Sequence, residues 1–357
     1  MDEFKTYVSN TLAGTSNNYI LKWDKEKTVT GRMYFKVCEH GEFDYKFFFS
    51  NSVDSTFSDG SVSAANAMGE KWTILSAFAG DGGERIGVFS EDILTPVLFN
   101  KSIEKEILPG EMFWSDEIRI SIPEGHYLVF QWTIVGNNIP FTPDKIIPSY
   151  VKENEDFKEC VNFPQPHLVA CNRKVKKRTA FIGDSITQGL GTRNDYYEFW
   201  VAEIGKKLGN EFSVWNLGLG FGRAQDAASN GTWLSKAKKM DLVSVCFGVN
   251  DIIQGRNKEQ ICDDLLHTVL ELKNNGCEVG IFTIPPFDWE GENEKTWRFV
   301  NQYIVNEVSK YTDYLFDTVK VLGELSPNDN KAKYGGHPDG NGGMALAKSF
   351  IESVNIK

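Results

Sequence analysis

Three polar residues stand in separate glycine-containing segments and could together do acyl-transfer chemistry. Ser185 follows a short apolar run in the segment Phe181-Ile182-Gly183-Asp184-Ser185-Ile186-Thr187-Gln188-Gly189. A serine hydroxyl becomes a useful nucleophile only when a base takes its proton and fixed donors stabilise the oxyanion. Candidates for these partners are Asn250, in Gly248-Val249-Asn250-Asp251, and His337, in Gly336-His337-Pro338. The ordinary structural alternatives are a serine that caps a helix and an Asn-Asp turn after a strand.

The order of these segments resembles a known set of motifs. Gly-Asp-Ser, then Gly-x-Asn-Asp, then a late His-Pro are similar to the motif blocks of the SGNH (GDSL) hydrolase superfamily, over roughly residues 177–357. The resemblance implies a three-layer α/β/α, flavodoxin-like domain, with Ser185 as nucleophile and His337 as general base. It also implies an oxyanion hole that includes the backbone N–H of Ser185 and the side-chain amide of Asn250. No metal or organic cofactor is implied.

Two positions depart from the family pattern. The segment Trp215-Asn216-Leu217-Gly218-Leu219-Gly220-Phe221-Gly222-Arg223 resembles the second block, but Phe221 stands where glycine is usual. Either the N–H of Phe221 serves the oxyanion hole, or a shift of one residue brings in Gly222. The same glycines do not have the spacing of a dinucleotide-binding loop, so nicotinamide binding is disfavoured.

The second departure concerns the partner of His337. The family usually carries an aspartate three residues before this histidine, and here that position is Tyr334. Asp339 follows the histidine and is expected to be directed away from its ring. We therefore expect a Ser185–His337 dyad, with the imidazole N–H held by a backbone carbonyl near Tyr334.

The elements that must position these residues alternate between strand and helix after residue 178. Predicted strands cover Thr179–Ile182, Phe212–Leu217, Leu242–Phe247, Val279–Ile284 and Tyr314–Phe316, and predicted helices cover Tyr196–Leu208, Lys258–Asn275 and Glu294–Lys310. This alternation predicts a parallel sheet with helices on both sides. Ligands gather at the carboxyl ends of the strands in such sheets, where Ser185 and Asn250 are expected.

The first half of the chain has a different pattern. Short strand patterns separated by turn residues cover Gly31–Val37, Tyr45–Phe49, Lys71–Phe78, Ile86–Phe89, Glu117–Ile122 and His126–Val135. They predict an all-β, jelly-roll-like sandwich over residues 1–150, a linker packed across both domains over 151–177, and the SGNH domain over 178–357. This order resembles that of bacterial two-domain esterases with an N-terminal β-sandwich. Trp72, Trp114 and Trp132 could form a sugar-stacking platform, although core positions are commoner for such residues.

Composition limits the classes of partner. The chain has 357 residues and a formal net charge of −11, which argues against binding to nucleic acid or to an anionic membrane surface. No secretory signal or membrane-spanning run is recognisable, so we expect a cytoplasmic protein. The six cysteines lack close pairing, which favours reduced thiols over disulfides or metal ligands. Oligomeric state cannot be predicted from these features.

The sequence thus favours a serine esterase that hydrolyses small acyl esters, most simply acetyl groups on carbohydrate. One alternative is a lysophospholipase or thioesterase with a long acyl slot. Another, of a different class, is a carbohydrate-binding protein whose hydrolase domain has lost useful catalysis. The missing aspartate and Phe221 favour that alternative, whereas the joint presence of Ser185, Asn250 and His337 argues against it.

Overall fold

The computed structural model of the protein describes residues 2–14, 16–326, 329 and 331–354. Its first half consists mostly of antiparallel strands. A short helix precedes them, α1 (Glu3–Thr6). The strands are β1 (Val8–Ser9), β2 (Tyr19–Leu21), β3 (Lys27–Lys36), β4 (Gly41–Ser50), β5 (Trp72–Asp81), β6 (Thr95–Pro96), β7 (Lys105–Ile107), β8 (Met112–Trp114), β9 (Ile118–Ile122), β10 (Tyr127–Gly136), β11 (Ile139–Phe141), β12 (Ser149–Glu153), β13 (Asp156–Glu159) and β14 (Leu168–Cys171).

Two of the sheets face each other as a sandwich. One has the order β1-β14-β4-β8, with β9 also paired to β4, and the other has the order β13-β12-β3-β10-β5-β6, with β7 paired to β5. Aromatic side chains meet between them, as in the contacts of Phe47 with Phe130 at 4.7 Å and of Phe49 with Trp132 at 5.2 Å between ring centroids. Burial of such large apolar surfaces is the main stabilising contribution to the sandwich. The prediction of an all-β sandwich is confirmed.

Two details of the sandwich differ from expectation. Ile86–Phe89 forms no strand, because Gly83 and Gly87 turn the chain at positive φ and Phe89 packs against the ring of Tyr34. Residues 151–177, predicted as a linker, contribute most of β12 and all of β13 and β14 to the two sheets. Charged residues on β13 and prolines around residue 165 obscure the alternation of these strands in the sequence. Trp72 and Trp132 lie in the core, and Trp114 is half-buried against Phe4 and Phe48.

The second half is a parallel α/β domain, as predicted. Its strands are β15 (Lys177–Gly183), β16 (Phe212–Gly218), β17 (Leu242–Cys246), β18 (Glu278–Phe282) and β19 (Tyr314–Phe316), in the sheet order β16-β15-β17-β18-β19. Its helices are α2 (Ser185–Gln188), α3 (Trp200–Leu208), α4 (Ala224–Ala228), α5 (Thr232–Ala237), α6 (Val249–Ile253), α7 (Lys258–Asn274), α8 (Gly291–Asn306), α9 (Thr318–Leu322) and α10 (Gly340–Ser353). Helices α3, α9 and α10 pack together, as do α4, α7 and α8. The sheet order changes direction at β15, so the carboxyl ends of β15 and β17 flank a topological switch point.

The two halves share a buried, charged contact. The Nζ atom of Lys236, on α5, forms an ion pair with Asp54 of the sandwich and lies 3.0 Å from Nδ1 of His167. All three side chains are almost fully buried. Asp54 also accepts hydrogen bonds from the backbone N–H of Asn17 and the hydroxyl of Thr232. Such complete pairing is what allows charges to be buried between the two halves.

Candidate active site

Ser185 lies at the carboxyl end of β15, where the chain turns directly from strand into helix. Asp184 is the N-cap residue of α2, and its carboxylate accepts a hydrogen bond from the N–H of Ile186 at 3.0 Å. Gly183 permits this tight turn, because a Cβ there would lie 2.1 Å from Oγ1 of Thr187 and 2.6 Å from the carbonyl oxygen of Cys246. Ser185 therefore occupies the first position of the helix, where its backbone N–H has no helical acceptor.

Ser185 and His337 are in direct contact. The Oγ atom of Ser185 lies 2.7 Å from Nε2 of His337, which is within hydrogen-bond reach of a general base. Burial lowers the pKa of His337 below its usual value, because desolvation disfavours the imidazolium. The imidazole is thus neutral at pH 7 and can accept the hydroxyl proton of Ser185.

Packing fixes the position of His337 from two sides. The ring of Phe287, which follows the carboxyl end of β18, makes an edge-on contact with the imidazole at 5.2 Å between centroids. On another side the backbone of Gly191 approaches closely, since a Cβ at that residue would lie 2.8 Å from Cβ of His337. These contacts restrain the imidazole, and among the described residues its second nitrogen has no hydrogen-bond partner.

No carboxylate reaches His337 within the described residues: none has an oxygen within 4.0 Å of a ring nitrogen. Asp339 is the N-cap residue of α10 and accepts from the N–H of Gly342 at 2.9 Å. The backbone carbonyl that was expected to hold the imidazole N–H is not found among the described residues either. The carbonyl oxygen of Tyr334 accepts the N–H of Asp339 at 3.2 Å, and no hydrogen bond joins it to the imidazole.

The structure distinguishes the two predicted backbone donors of the second block. The N–H of Gly222 donates to the carbonyl of Leu219 at 3.0 Å and closes a turn. The N–H of Phe221 has no hydrogen bond within the described residues, and neither does that of Ser185. Phe221 has φ +63°, the left-handed conformation in which glycine is usual. Phe221, and not Gly222, is therefore the residue in this turn with an N–H available to a ligand.

Asn250 is buried at the start of α6, after the carboxyl end of β17. One N–H of its amide donates to the carbonyl oxygen of Gly222 at 3.0 Å, which fixes the side chain and leaves its second N–H available. Asp251 links the same two loops, because its carboxylate accepts from the N–H of Ala224 at 2.8 Å and pairs with Arg256 at 2.9 Å. Asp251 thus connects neighbouring loops instead of only serving the local turn that the sequence suggested.

The predicted residues meet at one pocket of about 380 Å³. Ser185, His337, Asn250 and Phe221 line it, whereas Gly222 does not. Four apolar side chains that were not predicted as site residues complete the wall: Leu190, Val249, Ile253 and Phe287. Each of them comes shortly after a predicted catalytic residue or the end of a predicted strand, and that position was the only available signal.

The sandwich also supplies part of the pocket, through Ser58 and Asp59. These residues lie in the connection between β4 and β5. Nothing in their local sequence marks them as part of a site, because only the packing of the two halves brings them to the carboxyl ends of the parallel strands. The pocket is therefore formed by both halves of the chain.

Comparison with known proteins agrees with this geometry. Residues 181–344 match the model of the GDSL-like lipase/acylhydrolase family. No curated protein matches the chain. Within the described residues, no helix has the length and apolar character needed to cross a membrane.

Solved structures with some similarity cover about half of the chain. A proposed lipolytic protein of the G-D-S-L family from Desulfitobacterium hafniense is 20% identical, over 50% of this chain and 99% of that chain, with a TM-score of 0.42. A catalytic mutant of an acetylxylan esterase from Geobacillus stearothermophilus is 23% identical, over 52% and 96%, with a TM-score of 0.41. A GDSL-like lipase from Bacteroides thetaiotaomicron is 16% identical, over 50% and 89%, also with a TM-score of 0.41. Residues 181–344 of the chain therefore form a GDSL-like lipase/acylhydrolase domain, which places this part of the protein among the SGNH hydrolases.

Proposed function

We propose that the protein is a serine esterase that removes small acyl groups, most simply acetyl, from carbohydrate esters through a Ser185–His337 dyad. The observation that carries this proposal is the 2.7 Å contact between Ser185 Oγ and His337 Nε2 inside a pocket that also contains Asn250 and the free N–H of Phe221. A nucleophile, a neutral base and donors for an oxyanion are the parts that acyl transfer needs.

The reaction proceeds in two halves. His337 Nε2 takes the hydroxyl proton as Ser185 Oγ bonds to the ester carbonyl carbon, and the carbonyl oxygen becomes an oxyanion that accepts hydrogen bonds from Ser185, Phe221 and Asn250. The intermediate collapses, the C–O bond to the alcohol breaks, and the imidazolium returns its proton to the leaving alcohol. In the second half His337 Nε2 takes a proton from water as the water oxygen bonds to the acyl carbon. The bond between this carbon and Ser185 Oγ then breaks, the imidazolium returns its proton to Oγ, and the acid is released.

Pocket size supports a small acyl group. A pocket of about 380 Å³ lies at the lower end of the range for small-molecule sites, which is roughly 300–1,000 Å³. Both the acyl group and the nearest part of the alcohol must share this space. A polar leaving group such as a sugar would extend towards the sandwich side of the pocket, where Ser58 and Asp59 lie.

One observation favours a second candidate, a lipase or thioesterase with longer acyl chains. Leu190, Phe221 and Ile253 line the pocket and are 43%, 42% and 50% exposed. An exposed apolar rim is typical of surfaces that contact an apolar ligand. The acyl-length preference of the enzyme distinguishes the two candidates.

Hydrolysis of p-nitrophenyl acetate, butyrate and octanoate tests the proposal. We expect acetate to be cleaved fastest, and Ser185→Ala and His337→Ala each to lower kcat by about 10⁴-fold or more. Activity that rises with chain length would replace the acetylesterase by the second candidate. A wild-type enzyme no faster than Ser185→Ala on all three esters would refute the esterase proposal.

A further inference from the structure

The segment Ser55–Gly60 of the sandwich, here called the bridging loop, is fixed to the catalytic half at its first residues. The buried carboxylate of Asp226, on α4, accepts the hydroxyl of Ser55 at 2.8 Å and the backbone N–H of Thr56 at 3.2 Å. Arg223 holds Asp226 through an ion pair at 2.9 Å. The bridging loop therefore starts from a rigid, fully paired anchor.

The tip of the bridging loop is held against the candidate oxyanion turn. The rings of Phe57 and Phe221 meet edge-on at 4.9 Å between centroids. Gln254 donates to the carbonyl oxygen of Ser58 at 2.9 Å and accepts from Arg223 at 2.9 Å. These contacts connect the bridging loop to the turn around Phe221. They restrain Phe221 and the bridging loop relative to each other at the rim of the pocket.

Asp59 is the carboxylate that this arrangement brings to the pocket. Its Oδ1 accepts the backbone N–H of Ser61 at 2.9 Å, and the carboxylate also accepts a hydrogen bond from the side chain of Ser61. These two hydrogen bonds orient the carboxylate and leave further lone pairs for a ligand. The hydrogen bonds from the side chain and then the backbone of Ser61 lower the pKa of Asp59, so it is ionised at neutral pH. No Lys or Arg is among the described residues that line the pocket, and the nearby Arg223 is engaged by Asp226 and Gln254.

We propose that Asp59 is a specificity-determining residue that accepts hydrogen bonds from hydroxyl groups of the alcohol part of the ester and disfavours anionic alcohols. An oriented carboxylate with free lone pairs is a strong acceptor for hydroxyl donors, whereas a phosphate at the same place meets like charge. The substrate class is then a neutral, polyhydroxylated alcohol ester, and esters that carry a phosphate are poor substrates. This inference rests on the proposed esterase function and adds a role for the sandwich in choosing the substrate.

Asp59→Asn tests this role, because the amide oxygen can still accept the N–H of Ser61. We expect KM for methyl 3-O-acetyl-β-D-xylopyranoside to rise about tenfold, since hydrogen bonds to charged groups contribute more than neutral ones. The ratio of kcat/KM for the xyloside to kcat/KM for p-nitrophenyl acetate, whose alcohol has no further hydroxyl, should therefore fall about tenfold. The preference for 1-acetylglycerol over 1-acetylglycerol 3-phosphate should fall at least about threefold at low ionic strength.

Asp156→Asn is the matched control, because Asp156 is an exposed carboxylate on β13 outside the pocket. It should change none of these quantities. If Asp59→Asn slows all esters equally, the bridging loop has only a structural role and the inference is wrong. An unchanged KM for the xyloside together with an unchanged preference between the glycerol esters would also overturn it.

Binding separates this inference from the proposed catalysis. Calorimetric titration of the acetylated xyloside into Ser185→Ala, and into Ser185→Ala with Asp59→Asn, measures recognition without hydrolysis. About tenfold weaker binding by the double variant supports the role of Asp59 even if the esterase proposal fails. Equal binding by both variants overturns the role of Asp59 even if the wild type is an active esterase.

Discussion

No carboxylate contacts His337 among the described residues, and this can be tested by changing three aspartates that adjoin the catalytic residues or their neighbours in the sequence. Asp184 precedes the nucleophile, Asp288 follows Phe287, and Asp339 lies two residues after the histidine. Each carboxylate already accepts a backbone hydrogen bond. Asp184 accepts the N–H of Ile186 at 3.0 Å, Asp288 that of Ala332 at 2.6 Å, and Asp339 that of Gly342 at 2.9 Å. Asparagine can accept the same backbone hydrogen bonds, so Asp→Asn removes the charge with little change in local structure.

The size of the fall in kcat distinguishes a dyad from a triad. In a Ser-His-Asp triad, removing the charge of the aspartate lowers kcat by about 10⁴-fold, which corresponds to roughly 5.5 kcal/mol of transition-state stabilisation. If no carboxylate serves His337, each of the three Asp→Asn variants should keep kcat on p-nitrophenyl acetate within about tenfold of the wild type. A fall of about 10³-fold or more in one variant, with an unchanged circular dichroism spectrum, would show that this aspartate is the missing member.

The pH profile of kcat/KM provides an independent readout. Desolvation lowers the pKa of His337, and no anion within the described residues compensates for it. Activity requires the neutral imidazole, so it should be constant above about pH 6.5 and should decline only as the pH falls through a lower value. An acid limb centred above pH 6.5 in the wild type would contradict a dyad without a carboxylate.

Asp184 is the control for this profile, because burial raises its pKa to about 7, within the range scanned. If its titration contributes, the acid limb will change in Asp184→Asn. If the limb belongs to His337, it will be the same in both proteins. The comparison assigns the limb to one group without a structural measurement.

Two further predictions concern the oxyanion donor and the contact between the halves. Asn250→Ala should lower kcat about 10²–10³-fold with little change in KM, because it removes one donor to the developing charge; an unchanged kcat would exclude Asn250 from the oxyanion hole. Lys236→Met should lower the free energy of unfolding by about 3–5 kcal/mol, since it leaves the fully buried Asp54 without its counter-ion. Urea denaturation measures this change, and a loss below about 1 kcal/mol would show that Asp54 is satisfied by its hydrogen bonds alone.

The sequence predicted the catalytic half in most of its parts, because its signals are local. Apolar runs followed by glycine mark β15 and β17, and the chemistry-bearing residues come directly after them. Since parallel strands end at one edge of the sheet, Ser185 and Asn250 had to lie near each other. The helices α3, α7 and α8 were also recognisable from their length, although their ends moved by up to four residues.

Short helices and the pairing of strands were harder to predict from the sequence. The helices α2, α4, α5, α6 and α9 have only four to six residues, which is too short for a repeating hydrophobic pattern to be recognised. Strand β14 falls within the predicted linker, because its four residues are all buried and do not alternate. Its place beside β4 depends on pairing with residues more than one hundred positions earlier in the chain.

The amino-acid sequence by itself determined which chemistry the chain carries: a serine after a buried strand, a histidine before a final helix and an amide between them. Only the tertiary structure decided between Phe221 and Gly222 as the available backbone donor, because the answer depends on a turn hydrogen bond to Leu219. Packing of the two halves likewise placed Asp59 at the pocket, through anchors at Asp226 and Gln254 that are far from it in sequence. Local patterns specify residue types and elements, whereas contacts between distant segments specify which groups share a site.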